Sequence, residues 1–175
     1  TRPFELPDEA VQLRLDIQSA LNERSALAGH KTHNYMEAMY LKQSAERAGF
    51  FDVVRLNTAG FLAETAVANL FFVKDGNLRT PAVSTGILPG VIRAEVMKIA
   101  EKHSISIEEG HYPTEDLKAA DAVFLTNSSI GILPVSSINT KDSDLVFDVS
   151  HPMIHVLKVA LATAKKRKSL ALIHE

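Results

Sequence analysis

Leu70-Phe71-Phe72-Val73-Lys74-Asp75-Gly76-Asn77-Leu78-Arg79-Thr80 is the stretch that decides the kind of fold. Two runs, 70–73 and 78–80, flank Asp75-Gly76, a dipeptide suited to the tight turn of an antiparallel hairpin. Upstream, Val11, Leu13, Leu15 and Ile17 alternate with Gln12, Arg14 and Asp16. Period two marks a half-buried strand, and residues 19–29 then read as loop. Further strands are expected at 51–56 and 61–63, separated by the turn Asn57-Thr58-Ala59-Gly60, with Glu64 directly after the second. Beyond the hairpin, short strands are expected at 105–108, 122–126 and 130–135, the last closed by Pro134.

Helices interrupt these strands. Met36, Ala38, Met39, Leu41 and Ala45 predict a helix over 34–48, stopped by Gly49. Residues 81–90 are loop, and Val91, Ala94, Met97 and Ile99 predict a second helix over 91–103. A short helix over 114–120 takes Thr114 as its N-cap, and a last one runs from His151 to about Lys168. Short, hairpin-connected strands mixed with helices indicate an α+β (mixed α/β) class and not a regular βαβ alternation. No strand leads into a glycine-rich loop of Rossmann or P-loop spacing. With no internal repeat, low-complexity segment or linker, residues 1–175 read as one domain.

Composition narrows the function. The chain of 175 residues can bury a core, and 46% hydrophobic with 23% charged residues is ordinary for a globular protein. A net charge of −2 gives no reason to expect a nucleic-acid partner. No apolar run approaches the roughly 20 residues of a membrane helix. Arg2, Pro3, Glu5 and Pro7 leave no apolar core for a signal peptide. The absence of cysteine excludes disulfides and thiolate chemistry within the chain, and a cytoplasmic location is expected. The chain opens at Thr1 in an extended segment, the start expected of a fragment or processed product.

Four separated places carry candidate chemistry. Lys31, in Ala28-Gly29-His30-Lys31-Thr32-His33-Asn34, follows a small-residue loop and leads into a helix. The ordinary reading of a lysine is a solvated charge, but the positive end of a helix dipole favours the neutral amine. A neutral amine is what bond formation with an aldehyde requires. Glu64 reads either as a surface carboxylate or as an acid held against a ring nitrogen. Gly86-Ile87-Leu88-Pro89-Gly90-Val91-Ile92-Arg93 opens a helix, so the free N–H groups of Val91 and Ile92 form an anion site. Thr126-Asn127-Ser128-Ser129 offers small donors after a buried strand. Metal ligation is disfavoured: His30, His33 and Glu37 lack a further ligand, and Pro152 breaks the zinc-protease pattern at His151 and His155. Lys165-Lys166-Arg167-Lys168 reads as a solvated helix end.

Taken in order, Lys31, Glu64 with Asn69-Leu70-Phe71, the 88–93 run, and Asn127-Ser128 with Gly131 and Pro134-Val135 resemble the class IV (fold-type IV) aminotransferases. That family includes branched-chain aminotransferases, D-amino-acid aminotransferases and 4-amino-4-deoxychorismate lyases. The resemblance covers about residues 27–135 and implies the large, C-terminal domain of a D-amino-acid aminotransferase-like enzyme. It implies pyridoxal 5'-phosphate as cofactor, a small amino substrate and a homodimer. It makes Lys31 the cofactor-bearing lysine and proton shuttle, Glu64 the partner of the ring nitrogen, and Leu88 a packing residue on the ring face. Gly90, Val91, Ile92 and Ser128 would hold the phosphate, Tyr35 the phenolic oxygen, and Asn127 and Ser129 the substrate. Gly131, where transaminases carry glutamate, and Leu27-Ala28-Gly29 look more like the lyase branch, which releases pyruvate to give the folate precursor 4-aminobenzoate. An aminotransferase is the alternative, and a catalytically silent binding or oligomerisation module a third reading. The family's smaller N-terminal domain, with its phosphate-binding arginine, has no counterpart in the roughly 30 residues before Lys31, too few for a folded domain. The chain alone is therefore expected to bind the cofactor weakly or not at all.

Overall fold

A computed structural model describes residues 9–171. The strands are β1 (Val11–Leu21), β2 (Asp52–Asn57), β3 (Leu62–Thr65), β4 (Asn69–Lys74), β5 (Asn77–Pro81), β6 (Ile107–Gly110), β7 (Ala122–Asn127), β8 (Gly131–Asn139) and β9 (Asp144–Val146). The α-helices are α1 (Met36–Arg47), α2 (Val91–Lys102), α3 (Thr114–Lys118) and α4 (Pro152–Ala171). All the described strands join one sheet, in the order β3-β2-β1-β8-β7-β4-β5-β6, with β9 added to β8. The sheet is mixed: β1 lies parallel to both β2 and β8, and the β8-β7-β4-β5 block is antiparallel.

Alternation along the strands divides the core. Leu70 and Phe72 face one way with Leu13, Val54, Leu62, Val123 and Leu125. Phe71 and Val73 face the other, under Ile92, Val96 and Ile99 of α2 and Ile154, Leu157 and Leu161 of α4. Because both faces are covered, β4 and β7 are nearly continuous apolar runs. The sheet curls round its first cluster until its ends meet, where Leu62 N–H donates to Tyr112 O at 2.7 Å. Tyr112 then stands edge-on to Phe72, with ring centroids 5.0 Å apart.

The hairpin forms as expected, with Asp75 at φ 52° and Gly76 at φ 73°, the pair of positive values a type I′ turn demands. Elsewhere the boundaries move, each for a local reason. β1 continues through Ser19, where loop was expected. Asp16 Oδ1 accepts the N–H groups of Gln18 and Ser19 at a register shift, and pairing resumes at Leu21 opposite Asn57. Pro134 does not close β8. It sits opposite Phe124, an irregularity follows at Ser136, and the strand runs on to Asn139 beside β1. The expected strand at 105–108 starts later because Ser104, at φ 55°, and Ile105, donating to Ala100 O, terminate α2. Thr114 is the first residue of α3 and not its cap; Pro113 holds that place. β9 had no counterpart in the sequence reading. Within the basic run, Lys165 and Lys166 lie exposed on α4, and the side chains of Arg167 and Lys168 fall outside the described residues. Among the described residues, no helix is long and apolar enough to cross a membrane.

Phe71 and Phe124 stack at 5.0 Å with planes 3° apart, both fully buried. Phe124→Ala should destabilise the protein by about 3–5 kcal/mol in urea titrations, and a loss under about 1 kcal/mol would contradict this packing.

Candidate active site

Four chain segments meet at one end of the curled sheet. They are the 29–35 loop before α1, the β3–β4 turn, the N-terminus of α2, and the β7–β8 turn. They enclose a cleft of about 730 Å³ whose walls include Lys31, Tyr35, Glu64, Asn69, Leu88, Gly90, Val91, Ile92, Asn127, Ser128 and Ser129. Every residue singled out for the site therefore lines one cavity, within the size range of small-molecule sites.

Lys31 is exposed, and its Nζ donates to Tyr35 Oη at 2.6 Å. Its expected place at a helix N-terminus is corrected: residues 32–34 are coil, Tyr35 is the N-cap, and α1 begins at Met36. A helix dipole acts over the first turn, so the phenol and not the dipole is the group nearest the amine. The loop is pinned from below, where Gly29 N–H donates to Gly86 O at 3.2 Å. A silent module would call for a lysine buried in an ion pair; Lys31 is exposed beside an open cleft.

Glu64 lies within β3 and not after it. Its Oε2 accepts two hydrogen bonds, from Asn69 Nδ2 at 3.0 Å and from Leu88 N–H at 3.2 Å. Burial raises its carboxyl to about 8, against the Leu88 N–H and the Arg55 charge, which favour ionisation. Asp52 pushes the same way as burial, and Arg93 opposes it. Glu64 thus carries a proton at neutral pH unless a cation joins it.

Gly90 is the N-cap of α2 and supplies no side-chain cap, so the N–H groups of Val91 and Ile92 stay free of intrahelical partners. Arg93, the cation of that run, is buried and turned to Pro81 O and Glu109, so it braces the turn. In the β7–β8 turn, Asn127 Oδ1 accepts from Ser129 and Ile130 N–H, and its Nδ2 donates to Val67 O at 3.1 Å. Asn127 therefore ties two walls of the cleft together. Ser128 and Ser129 are exposed.

Of the other polar residues of this cleft, the sequence reading quoted Asn69 and Thr126 only within longer runs and did not single out Arg55. Asn69 is 4% exposed and grips both Glu64 and Leu88. Thr126 faces Asn69 across β4–β7, and its Oγ1 is buried with no partner. Arg55, buried, bonds Glu37 at 3.0 Å and Ser19 O at 3.2 Å, and so fastens α1 to β1 and β2. Arg55 interrupts an apolar strand, and Asn69 and Thr126 stand at the ends of two, signals visible in the sequence. No cluster of three or more metal-ligating side chains occurs among the described residues.

A family model described as amino-transferase class IV matches residues 1–138. The chain belongs to the class IV aminotransferase family. Its similarity to an aminodeoxychorismate lyase from Vibrio harveyi is 32% identity over 142 residues, 81% of this chain and 52% of that one. With a branched-chain-amino-acid aminotransferase from Escherichia coli it shares 35% identity over 106 residues, 61% of this chain and 34% of that enzyme. A Legionella pneumophila protein assigned as a 4-amino-4-deoxychorismate lyase superimposes with a TM-score of 0.85 and 34% identity, over 91% of this chain and 58% of that one. The E. coli branched-chain aminotransferase structure gives 0.81 at 27% identity, over 89% and 52%. This family member thus spans about half the length of the curated lyase it matches.

A carboxyl raised to about 8 by burial in the folded protein binds its proton more tightly than in the unfolded chain. Stability should therefore fall as pH rises from the ordinary carboxylate range through about 8 and level off above it. Glu64→Gln should flatten that slope, and carbon-13 NMR should place the Glu64 titration near 8. A titration in the ordinary carboxylate range would contradict the burial.

Proposed function

We propose that this chain forms the pyridoxal 5'-phosphate-binding face of a class IV enzyme, with Lys31 as its covalent anchor and 4-amino-4-deoxychorismate lyase chemistry as its activity. The observation that carries this reading is one cleft holding an exposed amine, a half-buried acid and a helix N-terminus. Those are the three attachments the cofactor needs: a nucleophile for its aldehyde, a proton partner for its ring nitrogen and donors for its phosphate. The residues fit it. Glu64 Oε2 is saturated by two N–H donors, so Oε1 is the oxygen left for a ring nitrogen. The N–H groups of Val91 and Ile92 and the exposed Ser128 hydroxyl suit a phosphate. The volume of about 730 Å³ leaves room for cofactor and substrate together.

When bound, the cofactor supplies an electron sink for the bonds at the substrate Cα. The chain's own residues do the rest. Lys31 would be the residue that holds the cofactor aldehyde and would serve as the proton carrier at the substrate Cα. Tyr35 Oη, 2.6 Å from Nζ, holds the amine in place and offers its hydrogen to the phenolic oxygen. Glu64 would be the partner of the ring nitrogen, and a protonated ring nitrogen would offset the cost of ionising this desolvated carboxyl. Leu88, in the same cleft wall as the Gly90 N-cap, would pack on the ring face. Ser129 and the remaining Asn127 amide hydrogen, in the same cleft, would serve the substrate.

Gly131, the Asn127-Ser128 pair and the lyase similarity over 81% of the chain favour pyruvate elimination. Amino transfer is the second reading, favoured by the 35% identity to a branched-chain aminotransferase. Incubation with aminodeoxychorismate should release pyruvate and 4-aminobenzoate; amino transfer to a 2-oxo acid without pyruvate release would reverse the order. Borohydride reduction of the loaded protein followed by peptide mass spectrometry should place the cofactor on Lys31. Lys31→Ala should abolish that adduct, and an adduct persisting at undiminished yield would contradict the assignment. A homodimer accompanies this reading, supported by the exposed Met36, Met39 and Tyr40 on α1. Sedimentation should show the dimer, and a monomer at all concentrations would remove it.

A further inference from the structure

Asn69 opens β4, opposite Thr126 of β7, and is 4% exposed. Its Nδ2 donates to Glu64 Oε2 at 3.0 Å and to Leu88 O at 2.7 Å, so both amide hydrogens are committed. The amide has one sensible orientation, because a flipped Oδ1 would meet two acceptors. Its Oδ1 then lies where a side chain at position 90 would begin: a Cβ built on Gly90 falls 2.2 Å from it. The backbone of Gly90, at φ −66° and ψ 143°, is one that any residue adopts. Glycine stands there because Asn69 needs the space.

One side chain thus fixes three parts of the cleft: the acid, the turn carrying Leu88, and the start of α2. We infer that Asn69 is a positioning residue for the ring-nitrogen contact, turning Glu64 so that Oε1 alone faces the cleft and holding the Leu88–Gly90 turn beside it. This rests on the cofactor reading above. Leu88 completes the device, since its N–H and its C=O bond the Glu64 carboxylate and the Asn69 amide in turn. Carboxyl, amide and turn are therefore joined, and the spacing between the ring-nitrogen partner and the phosphate donors is set by one residue that bonds the first and packs on the cap of the second.

Asn69→Asp tests this, because it keeps the shape and replaces two donors by acceptors. Glu64 should then titrate above its wild-type point in carbon-13 NMR on the cofactor-free protein, since a donor is lost and a like charge gained. Pyridoxal phosphate should bind about 10-fold or more weakly, the effect of one hydrogen bond to a charged group. Asn69→Ala gives the same two readouts without the added charge if the aspartate variant does not fold. A brace with no bearing on Glu64 would leave its titration in place, and that result, in protein that binds the cofactor, would overturn the inference. Full-length wild-type protein that takes up no pyridoxal phosphate would instead sink the cofactor reading, while the Glu64 titration would still decide the role of Asn69. As a check on the close approach, Gly90→Ala should lower the melting temperature, and adding Asn69→Ala should restore part of the loss. Strictly additive losses would contradict the contact.

Discussion

The cleft depends on a half-buried carboxyl whose desolvation outweighs the pull of the Arg55 and Arg93 charges. Glu64 stands on a buried strand, takes two N–H donors on one oxygen, and is raised to about 8 by its surroundings. Such a group is costly to ionise alone and ready to ionise when a base arrives to take its proton. The rest of the site is arranged round that atom. Leu88 supplies one donor and Asn69 the other, and the same two residues fix where α2 begins and hence where its free N–H groups point.

The fold serves this arrangement through its edges. The turns β3–β4 and β7–β8 are distant in sequence but close in space because β7 pairs β4 directly. Asn127 reinforces the link by bonding Val67 across the gap. On the opposite wall, Arg55 reaches from β2 to Glu37 in the first turn of α1, which sets the Lys31–Tyr35 loop against the sheet. Curling of the sheet, completed by the Leu62–Tyr112 hydrogen bond, brings these walls round a single mouth.

Much of this was legible in the sequence, because the relevant signals are local. Asp75-Gly76 specifies its hairpin through two positive φ values, and Gly49 stops α1 as written. Lys31, Glu64, Val91 and Ser128 were found as a set and share one cleft. What was missed is decided by partners far along the chain. β1 runs past Ser19 because Leu21 pairs with Asn57, and β8 runs past Pro134 because β1 and β9 lie beside its far end. Asn69 was quoted as part of a motif, yet its grip on Glu64 and Gly90 needs three strand and helix ends to be placed first. Lys31 was singled out for partly the wrong reason: the helix starts too late for its dipole to act, and the Tyr35 hydroxyl is the group beside the amine.

We propose that Glu64 shares its proton with a cofactor ring nitrogen. Nitrogen-15 NMR of protein loaded with ring-labelled pyridoxal phosphate measures this directly. The ring nitrogen should be protonated when bound, and Glu64→Gln should move it to the neutral form. A bound ring nitrogen that is neutral in the wild type, or that ignores the substitution, would contradict the account.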